Sequence, residues 1–553
     1  MVGVPGRSKA CHTCRRRRKG CDLERPSCGQ CSRLGLQCDG YERRTMFIHA
    51  DPTTAGTSKK STITTTLARK PLLVNGTASY PVGEARSTVT LLPTSLTSSA
   101  YKCNYVALFW EMYDPHSDLE RDLDNALSTT AWLAGVHSDK SYHNSPLLQT
   151  SFLAFCLGSV GHRLGQKPLI ENGMNAYNEA LRGLSKSIAA QACRNRVPDD
   201  ATVATTRILS LYEVFFGSDP LSHTSASSCP GEAATFKEHV LVDKPLCMSY
   251  GQADAWHRHR FGELALLESQ SPDMYKEGIA HRLLADGRLS ITIAAVGVHR
   301  STILAREDWL TVPWTGSHKK TSRDLLLDIF VQMPGCLEDM TKIEVALNLS
   351  LRYCSYHIIP ERLTGSGGVQ ALLMLIQRCQ RLLGQLHSWF DHDAPLLWKE
   401  FLSSLSSYRP QPPNVAYPIS KDPPSADDVS AAHLMCLYWS TRIKLMLIIL
   451  DTTGYLANLE EKEAQNRSTF KSTITHDSNH ILRTAPIFFQ KGAGIAGSHL
   501  AIFPLTIALK ALQLMGEIGV AEQRGMVKEL LVKRAAVSGL SVGGFVGSLR
   551  VLS

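Results

Sequence analysis

Six cysteines within the first 38 residues constrain the fold of this chain more than any other feature. A Cys-x-x-Cys pair can place two thiolates on one metal ion, and the pair occurs twice. A segment this short has no hydrophobic core of its own, so bound metal would supply its folding free energy. The six positions are Cys11, Cys14, Cys21, Cys28, Cys31 and Cys38.

The number of thiolates limits how metal can be held. Two separate tetrahedral zinc sites need eight ligands, so six thiolates can serve two Zn²⁺ only if two sulfurs are shared. The segment repeats the pattern Cys-x2-Cys-x6-Cys, and the first cysteine of each repeat is the natural bridge. We therefore expect bridging Cys11 and Cys28, with Cys14 and Cys21 completing one site and Cys31 and Cys38 the other.

Three other interpretations of these cysteines remain open. A disulfide framework suits a secreted chain, but residues 1–10 are polar and contain no apolar signal segment. A redox Cys-x-x-Cys needs a strand–helix context that the segment lacks. A purely structural zinc knot would leave the neighbouring basic residues unexplained. The other nine cysteines are scattered singly, which indicates reduced, buried thiols.

Charge is concentrated beside the cysteines. Residues 1–50 hold eleven Lys and Arg against four Asp and Glu, so +7 of the net charge of +9 lies there. Five consecutive cations stand between the second and third cysteines, and they also resemble a nuclear import signal. A basic module on a nearly neutral body is the electrostatic pattern of nucleic-acid binding. The run is Arg15, Arg16, Arg17, Arg18 and Lys19.

The rest of the chain divides by texture. We expect a cysteine module at residues 1–44, a flexible and disordered Ser/Thr-rich linker at 45–100, and a large all-α domain at 101–553 with a loop-like insertion at 219–253. Asp199 is placed to cap a helix that runs to Phe216 and ends at Gly217. Further helices are expected at 170–191, 277–305, 322–333, 368–390, 426–451, 473–487, 498–516 and 519–535. No apolar run reaches the ~18 residues of a membrane span, so we expect a soluble protein without a membrane partner.

The cysteine module resembles the fungal-type Zn(2)-C6 binuclear cluster of transcription factors. All six ligand positions match, and Pro26 matches the loop proline between the two halves. The resemblance implies two Zn²⁺, a nuclear location and binding to double-stranded DNA. In that family a short helix after the second cysteine enters the major groove, and basic residues three and four positions after that cysteine read a CGG-like triplet.

The same resemblance assigns roles to individual cations. Arg17 and Arg18 occupy the base-reading positions, and the planar fork of arginine can pair with both O6 and N7 of guanine. Gly20 departs from the family, which usually has Lys or Arg before the third cysteine. The missing cationic side chain removes one expected phosphate contact. The candidate phosphate contacts are Arg15, Arg16, Lys19, Arg33, Arg43 and Arg44.

Residues 101–520 resemble, less specifically, the all-helical fungal-specific regulatory domain that accompanies such clusters. Two short motifs within this body suggest other chemistry. Residues 492–497 fit the dinucleotide pattern G-x-G-x-x-G, but the strands that such a site needs are missing, which favours a glycine-rich helix entry. Residues 257–260, His-Arg-His-Arg, could hold a metal or an anion, but an exposed polar helix face is favoured.

The sequence therefore predicts a sequence-specific DNA-binding regulator of RNA polymerase II transcription, and not an enzyme. A homodimer, a co-regulator and a small-molecule effector are candidate partners that the sequence does not choose among. The alternative is a metabolite-sensing or scaffold protein whose zinc cluster is only structural.

Overall fold

In the computed structural model the chain divides into two compact units, residues 1–89 and 90–553. The structure describes residues 11, 13–14, 17, 20–24, 28–36, 38, 99–113, 131–194, 196–217, 250–346, 366–396, 398–399, 426–456, 461–516, 521, 523–527 and 529. Most of the expected linker and of the expected insertion lie outside these residues, although Tyr250 and the residues after it are already helical.

Where the small unit is described, two short helical segments occur, one at each Cys-x-x-Cys pair. Thr13 and Cys14 are helical in the first half. In the second half, α1 spans Gly29–Arg33 and begins after Cys28, whose side chain accepts the Cys31 backbone N–H. Among the described residues of this unit the buried apolar cluster consists of cysteine side chains, so packing of these residues alone gives little stability.

The described part of the large unit is mostly helical, and no strand occurs within it, as expected for an all-α body. Its helices are α2 Ser99–Tyr113, α3 Ala131–Ser138, α4 Lys140–Asn144, α5 Pro146–Leu164, α6 Lys167–Cys193, α7 Asp200–Phe216, α8 Tyr250–Glu268, α9 Gly278–Gly297, α10 Glu307–Thr311, α11 Ser322–Phe330, α12 Met333–Ala346, α13 Ser366–His392, α14 Ala426–Tyr455, α15 Glu461–Thr484 and α16 Gly494–Met515. Short 3₁₀ turns occupy Pro272–Tyr275, Ile303–Ala305, Val312–Trp314, Ala485–Phe489 and Lys491–Ala493.

Local capping sets several helix ends. The Asp199 side chain accepts the Thr202 backbone N–H at 2.8 Å, and α7 ends at Phe216 with Gly217 as its C-cap, which confirms the expected bounds of this helix. Helix α5 begins after the N-cap Ser145 and ends at Leu164, and its C-cap Gly165 has a φ of 63° that glycine readily adopts. Helix α9 is shorter than expected, since it ends at Gly297 and is followed by irregular chain and a 3₁₀ turn.

Two large apolar clusters account for most of the core in the described part of the body. In the first half α5 packs on α6 and α7, and α7 packs on α8; in the second half α14 packs against α13, α15 and α16. Helix α16 also contacts α2, which links the two halves. Asp427–Tyr455 and Lys491–Leu514 are long and apolar enough to cross a membrane, but 83% and 78% of their apolar windows are buried inside the fold. This burial is typical of core helices.

Several scattered cysteines lie in these cores. Cys156, Cys336, Cys379 and Cys436 are free and buried, as expected, whereas Cys193 is exposed at the end of α6. The remaining four scattered cysteines lie where the structure describes no side chain.

Candidate metal centre and nucleic-acid interface

The six cysteine sulfurs of the small unit converge. They form two groups of four in which all sulfurs lie within 4.8 Å of one another. One group joins Cys11, Cys14, Cys21 and Cys28, and the other joins Cys11, Cys28, Cys31 and Cys38. Only Cys11 and Cys28 occur in both groups, which is the arrangement that two metal ions sharing two thiolates require.

The sulfur separations suit tetrahedral zinc. A Zn–S bond of about 2.3 Å at a tetrahedral angle puts neighbouring sulfurs about 3.8 Å apart. Within the groups, Cys11 and Cys28 are 3.6 Å apart, Cys14 and Cys28 3.6 Å, and Cys11 and Cys31 3.9 Å. Cys14 and Cys31 are also 3.8 Å apart although they belong to different groups. The groups are therefore distinguished by Cys21, which lies only in the first, and Cys38, which lies only in the second.

Backbone N–H groups stabilise these sulfurs in a repeated pattern. The Cys14 N–H donates to Cys11 Sγ, and the Cys31 N–H donates to Cys28 Sγ, each at 3.3 Å. Each half therefore presents its first sulfur with a backbone donor already in place. Such bonds stabilise the thiolate form that a metal ion needs.

Without a cation, the clustered cysteines favour the neutral thiol over the thiolate. Desolvation, followed by contacts with neighbouring sulfurs, raises the pKa of the Cys14 thiol well above its usual range and that of Cys31 to about 12. A bound divalent cation reverses this balance because it is the largest local charge. The donor set and its geometry therefore fit zinc.

Asp22 joins the two halves. Its carboxylate oxygens accept the backbone N–H groups of Gly29 and Gln30, each at 3.0 Å, at the first turn of α1. Arg33, at the end of that helix, lies 3.9 Å from the same carboxylate. A Cβ at position 29 would lie 2.7 Å from the Asp22 Oδ2, so a larger residue there would have to displace the carboxylate. No feature of the spacing pattern pointed to Asp22; its place directly after a cysteine was the available signal.

Two of the expected DNA contacts lie among the described residues. Arg17 is exposed, and its backbone N–H donates to the Thr13 carbonyl at 3.1 Å, which continues the helical turn after Cys14. Arg33 is exposed on α1, and its Nε donates to the Gly29 carbonyl at 3.3 Å. The other expected contacts lie outside the described residues: Arg15, Arg16, Arg18, Lys19, Arg43 and Arg44.

Residues 9–46 match the model of the fungal Zn(2)-Cys(6) binuclear cluster domain. This binuclear cluster domain binds two zinc ions and is a DNA-binding domain of transcription regulators. Its family consists of transcription factors and not of enzymes, and is generally nuclear. The expected fungal-specific regulatory domain is not found by the family comparison. No curated protein matches the chain, and no solved structure matches it.

The two other motifs in the body have structural roles. Gly494 has a φ of 58° at the entry to α16, and a Cβ on Gly497 would lie 2.7 Å from the Phe488 carbonyl oxygen. The glycines therefore allow a close helix entry, as expected. The expectation of an exposed polar face at 257–260 is wrong, because Arg260 is buried and pairs with Glu263 at 2.8 Å.

Proposed function

We propose that this protein is a sequence-specific, DNA-binding transcription factor that acts in the nucleus on RNA polymerase II promoters and reads CGG-like triplets in the major groove. The observation that carries the proposal is the pair of sulfur groups that share Cys11 and Cys28, with an exposed Arg17 on the turn that follows Cys14. In this proposal the cluster domain binds DNA, residues 45–100 connect it, and residues 101–553 regulate it.

The proposed ligand set has two bridges and four terminal sulfurs. Cys11 and Cys28 would be shared by both ions; Cys14 and Cys21 would complete one site, and Cys31 and Cys38 the other. Because each site would take sulfurs from both halves of the module, the cysteines would link the halves through the metal. The backbone donors to the first sulfur of each half and the Asp22 carboxylate then hold α1 in a fixed relation to the turn that carries Arg17.

In this proposal Arg17 and Arg18 contact the bases, since the planar guanidinium of arginine can pair with both O6 and N7 of guanine. Arg33 is in a suitable position for a phosphate contact because its guanidinium is exposed, and its distance of 3.9 Å from Asp22 leaves donors available. The remaining proposed phosphate contacts are Arg15, Arg16, Lys19, Arg43 and Arg44. Six such contacts would give a slope of about −5 for log K against log salt.

Binding-site selection with the full chain and zinc tests the proposal. We expect enrichment of a CGG-like triplet, and the spacing of two triplets would report whether a homodimer binds. Selection without any enriched triplet would favour the alternative, a metabolite-sensing or scaffold protein with a structural zinc cluster. Reporter transcription from a promoter that carries the selected site would then test the polymerase II assignment.

Replacement of Arg17 tests the base-reading role. Arg17→Ala should weaken specific binding by about 1–3 kcal/mol and relax the preference at one guanine, because one bidentate pair is lost. Arg33→Ala is the matched control, since loss of a phosphate contact should weaken binding to all sequences alike. Equal losses on selected and random DNA for Arg17→Ala would contradict base reading by this residue.

A further inference from the structure

Helix α15 carries two histidines one turn apart. His476 and His480 face each other through their ring nitrogens, with the two Nε2 atoms 3.2 Å apart. Residues at i and i+4 lie on one face of a helix, which is why the rings can meet. The pair lies in the large unit and is separate from the cysteine cluster in sequence.

This separation is suited to one shared metal ion. Metal–imidazole bonds of about 2.0–2.1 Å at angles from square to tetrahedral put the two nitrogens roughly 2.9–3.4 Å apart. The observed 3.2 Å lies in the middle of that range. An N–H···N hydrogen bond between neutral rings would give a similar distance, so geometry alone leaves two explanations.

The surroundings favour a ligand pair. The His480 ring is stacked on Trp439 at 4.9 Å with an interplanar angle of 10°, and the residue is only 8% exposed, so its orientation is fixed. The His476 side chain is 68% exposed, which gives an ion access from solvent. The other ring nitrogen of His476, Nδ1, lies 3.7 Å from a carboxylate oxygen of Asp477. This separation is longer than a hydrogen bond, and both Asp477 oxygens accept from Arg442, so the carboxylate contributes negative charge near the pair but does not orient the His476 ring.

Charge at the pair is compatible with a cation. Arg442 donates its Nε to Asp477 Oδ2 at 2.6 Å, which balances part of its charge. Arg442 and Arg483 both repel a positive charge at His480, and this repulsion lowers the affinity for a cation.

We propose that His476 and His480 bind one divalent transition-metal ion of the imidazole-preferring class, such as Zn²⁺, Ni²⁺ or Cu²⁺, through their Nε2 atoms. Solvent completes the coordination. Imidazole pairs suit these metals, whereas carboxylate and carbonyl sites suit Mg²⁺ and Ca²⁺.

Ni²⁺ binding to the full chain, with its cysteine cluster saturated by zinc, tests the site. Isothermal titration should show that His476→Ala loses one Ni²⁺ site or binds at it at least tenfold more weakly. His476→Gln should lose the same site, although glutamine can still donate a hydrogen bond to His480. His392→Ala is the matched control, because His392 is an exposed histidine near the end of another helix, α13.

The possible outcomes separate the explanations. Loss of the site in both His476 variants, with His392→Ala unchanged, supports the proposal. Unchanged Ni²⁺ binding in the His476 variants overturns it and leaves an imidazole–imidazole hydrogen bond. Equal losses in the His476 and His392 variants also overturn it, because binding would then be spread over surface histidines. Tryptophan fluorescence melts of the zinc-saturated chain without added Ni²⁺ check that each variant is folded.

Discussion

Gly20 lies directly before the third cysteine of the cluster, where the resembling family usually has a cation. An added Cβ at this position meets no atom within 4 Å, and the residue is exposed. A long side chain could therefore extend into solvent without displacing the cluster. The structure therefore leaves room for a lysine or arginine at position 20, and the glycine changes the charge of the surface but is not required by packing.

Gly20→Lys should tighten DNA binding and make the salt slope steeper by about 0.9, the value for one added phosphate contact. Gly20→Gln is the matched control of similar length without charge. Dissociation constants of the full chain at several salt concentrations provide the measurement. An unchanged slope in Gly20→Lys would mean that residue 20 lies away from the phosphates.

Asp22 belongs to the first half of the module and holds the start of α1 in the second half, so its loss should weaken zinc retention by the whole module. Asp22→Asn keeps the shape but replaces one accepting oxygen by a donor, so one N–H at the start of α1 loses its partner. Hydrogen bonds to charged groups contribute about 1.5–3 kcal/mol, and we expect faster zinc release to a chelator. Ser32→Ala, an exposed change on the same helix, should release zinc at the original rate; equal rates in the two variants would show that Asp22 does not hold the halves together.

At the scale of elements, α7, α8 and α9 are joined by a buried ionic cluster. Glu263 on α8 accepts Arg207 Nε at 2.8 Å and pairs with Arg260 Nη1 at 2.8 Å, and its side chain is fully buried. Arg260 also donates to Ser290 on α9 at 2.7 Å. A Cβ on Gly287 would collide with the Arg207 guanidinium, so glycine makes room for the cluster.

Glu263→Gln should destabilise the large unit by about 3–5 kcal/mol, because two buried guanidinium groups would lose their shared counter-charge. Glu268→Gln, an exposed change on the same helix, should leave the stability within about 0.5 kcal/mol of the original. Chemical unfolding followed by tryptophan fluorescence measures both. A small loss in Glu263→Gln would show that serine and carbonyl acceptors suffice for the arginines.

Sequence patterns predicted the helices better than they predicted this cluster. Apolar periodicity and the Asp199 cap gave α7 its correct bounds, since both signals are local. The pairing of Arg207 with Glu263 spans 56 residues, and the average preference of Arg for the surface led to the wrong expectation for Arg260. In the small unit the cysteine spacing anticipated the two sulfur groups because metal ligands are set by spacing, whereas Asp22 acts through contacts that only the folded chain forms.

At the scale of the whole molecule, the large unit contains histidines with lowered pKa values; His433 and His480 are buried, and His259 and His499 are partly exposed. Burial is the main cause that lowers the pKa of His259 and His499 to about 4 and of His433 and His480 to about 3. For His259 and His499 the neighbouring Arg260 adds to the effect. The same four side chains titrate near pH 6.5 in an unfolded chain.

The stability of the large unit should therefore fall as the pH falls from about 7 towards 4. In this window the unfolded state binds protons that the native state does not, so each histidine costs about 1.4 kcal/mol per pH unit below 6.5 until its native pKa is reached. Urea unfolding at pH 7.5 and 5.5 measures the effect, and all eight tryptophans lie beyond residue 100, so their fluorescence reports this unit and not the cysteine module. His433→Gln should reduce the pH dependence of the free energy of unfolding by the contribution of one histidine, about 1.4 kcal/mol per pH unit. Replacement of the exposed His392 by Gln should leave that dependence unchanged. Identical slopes for the parent and His433→Gln would show that His433 takes up its proton in the native state.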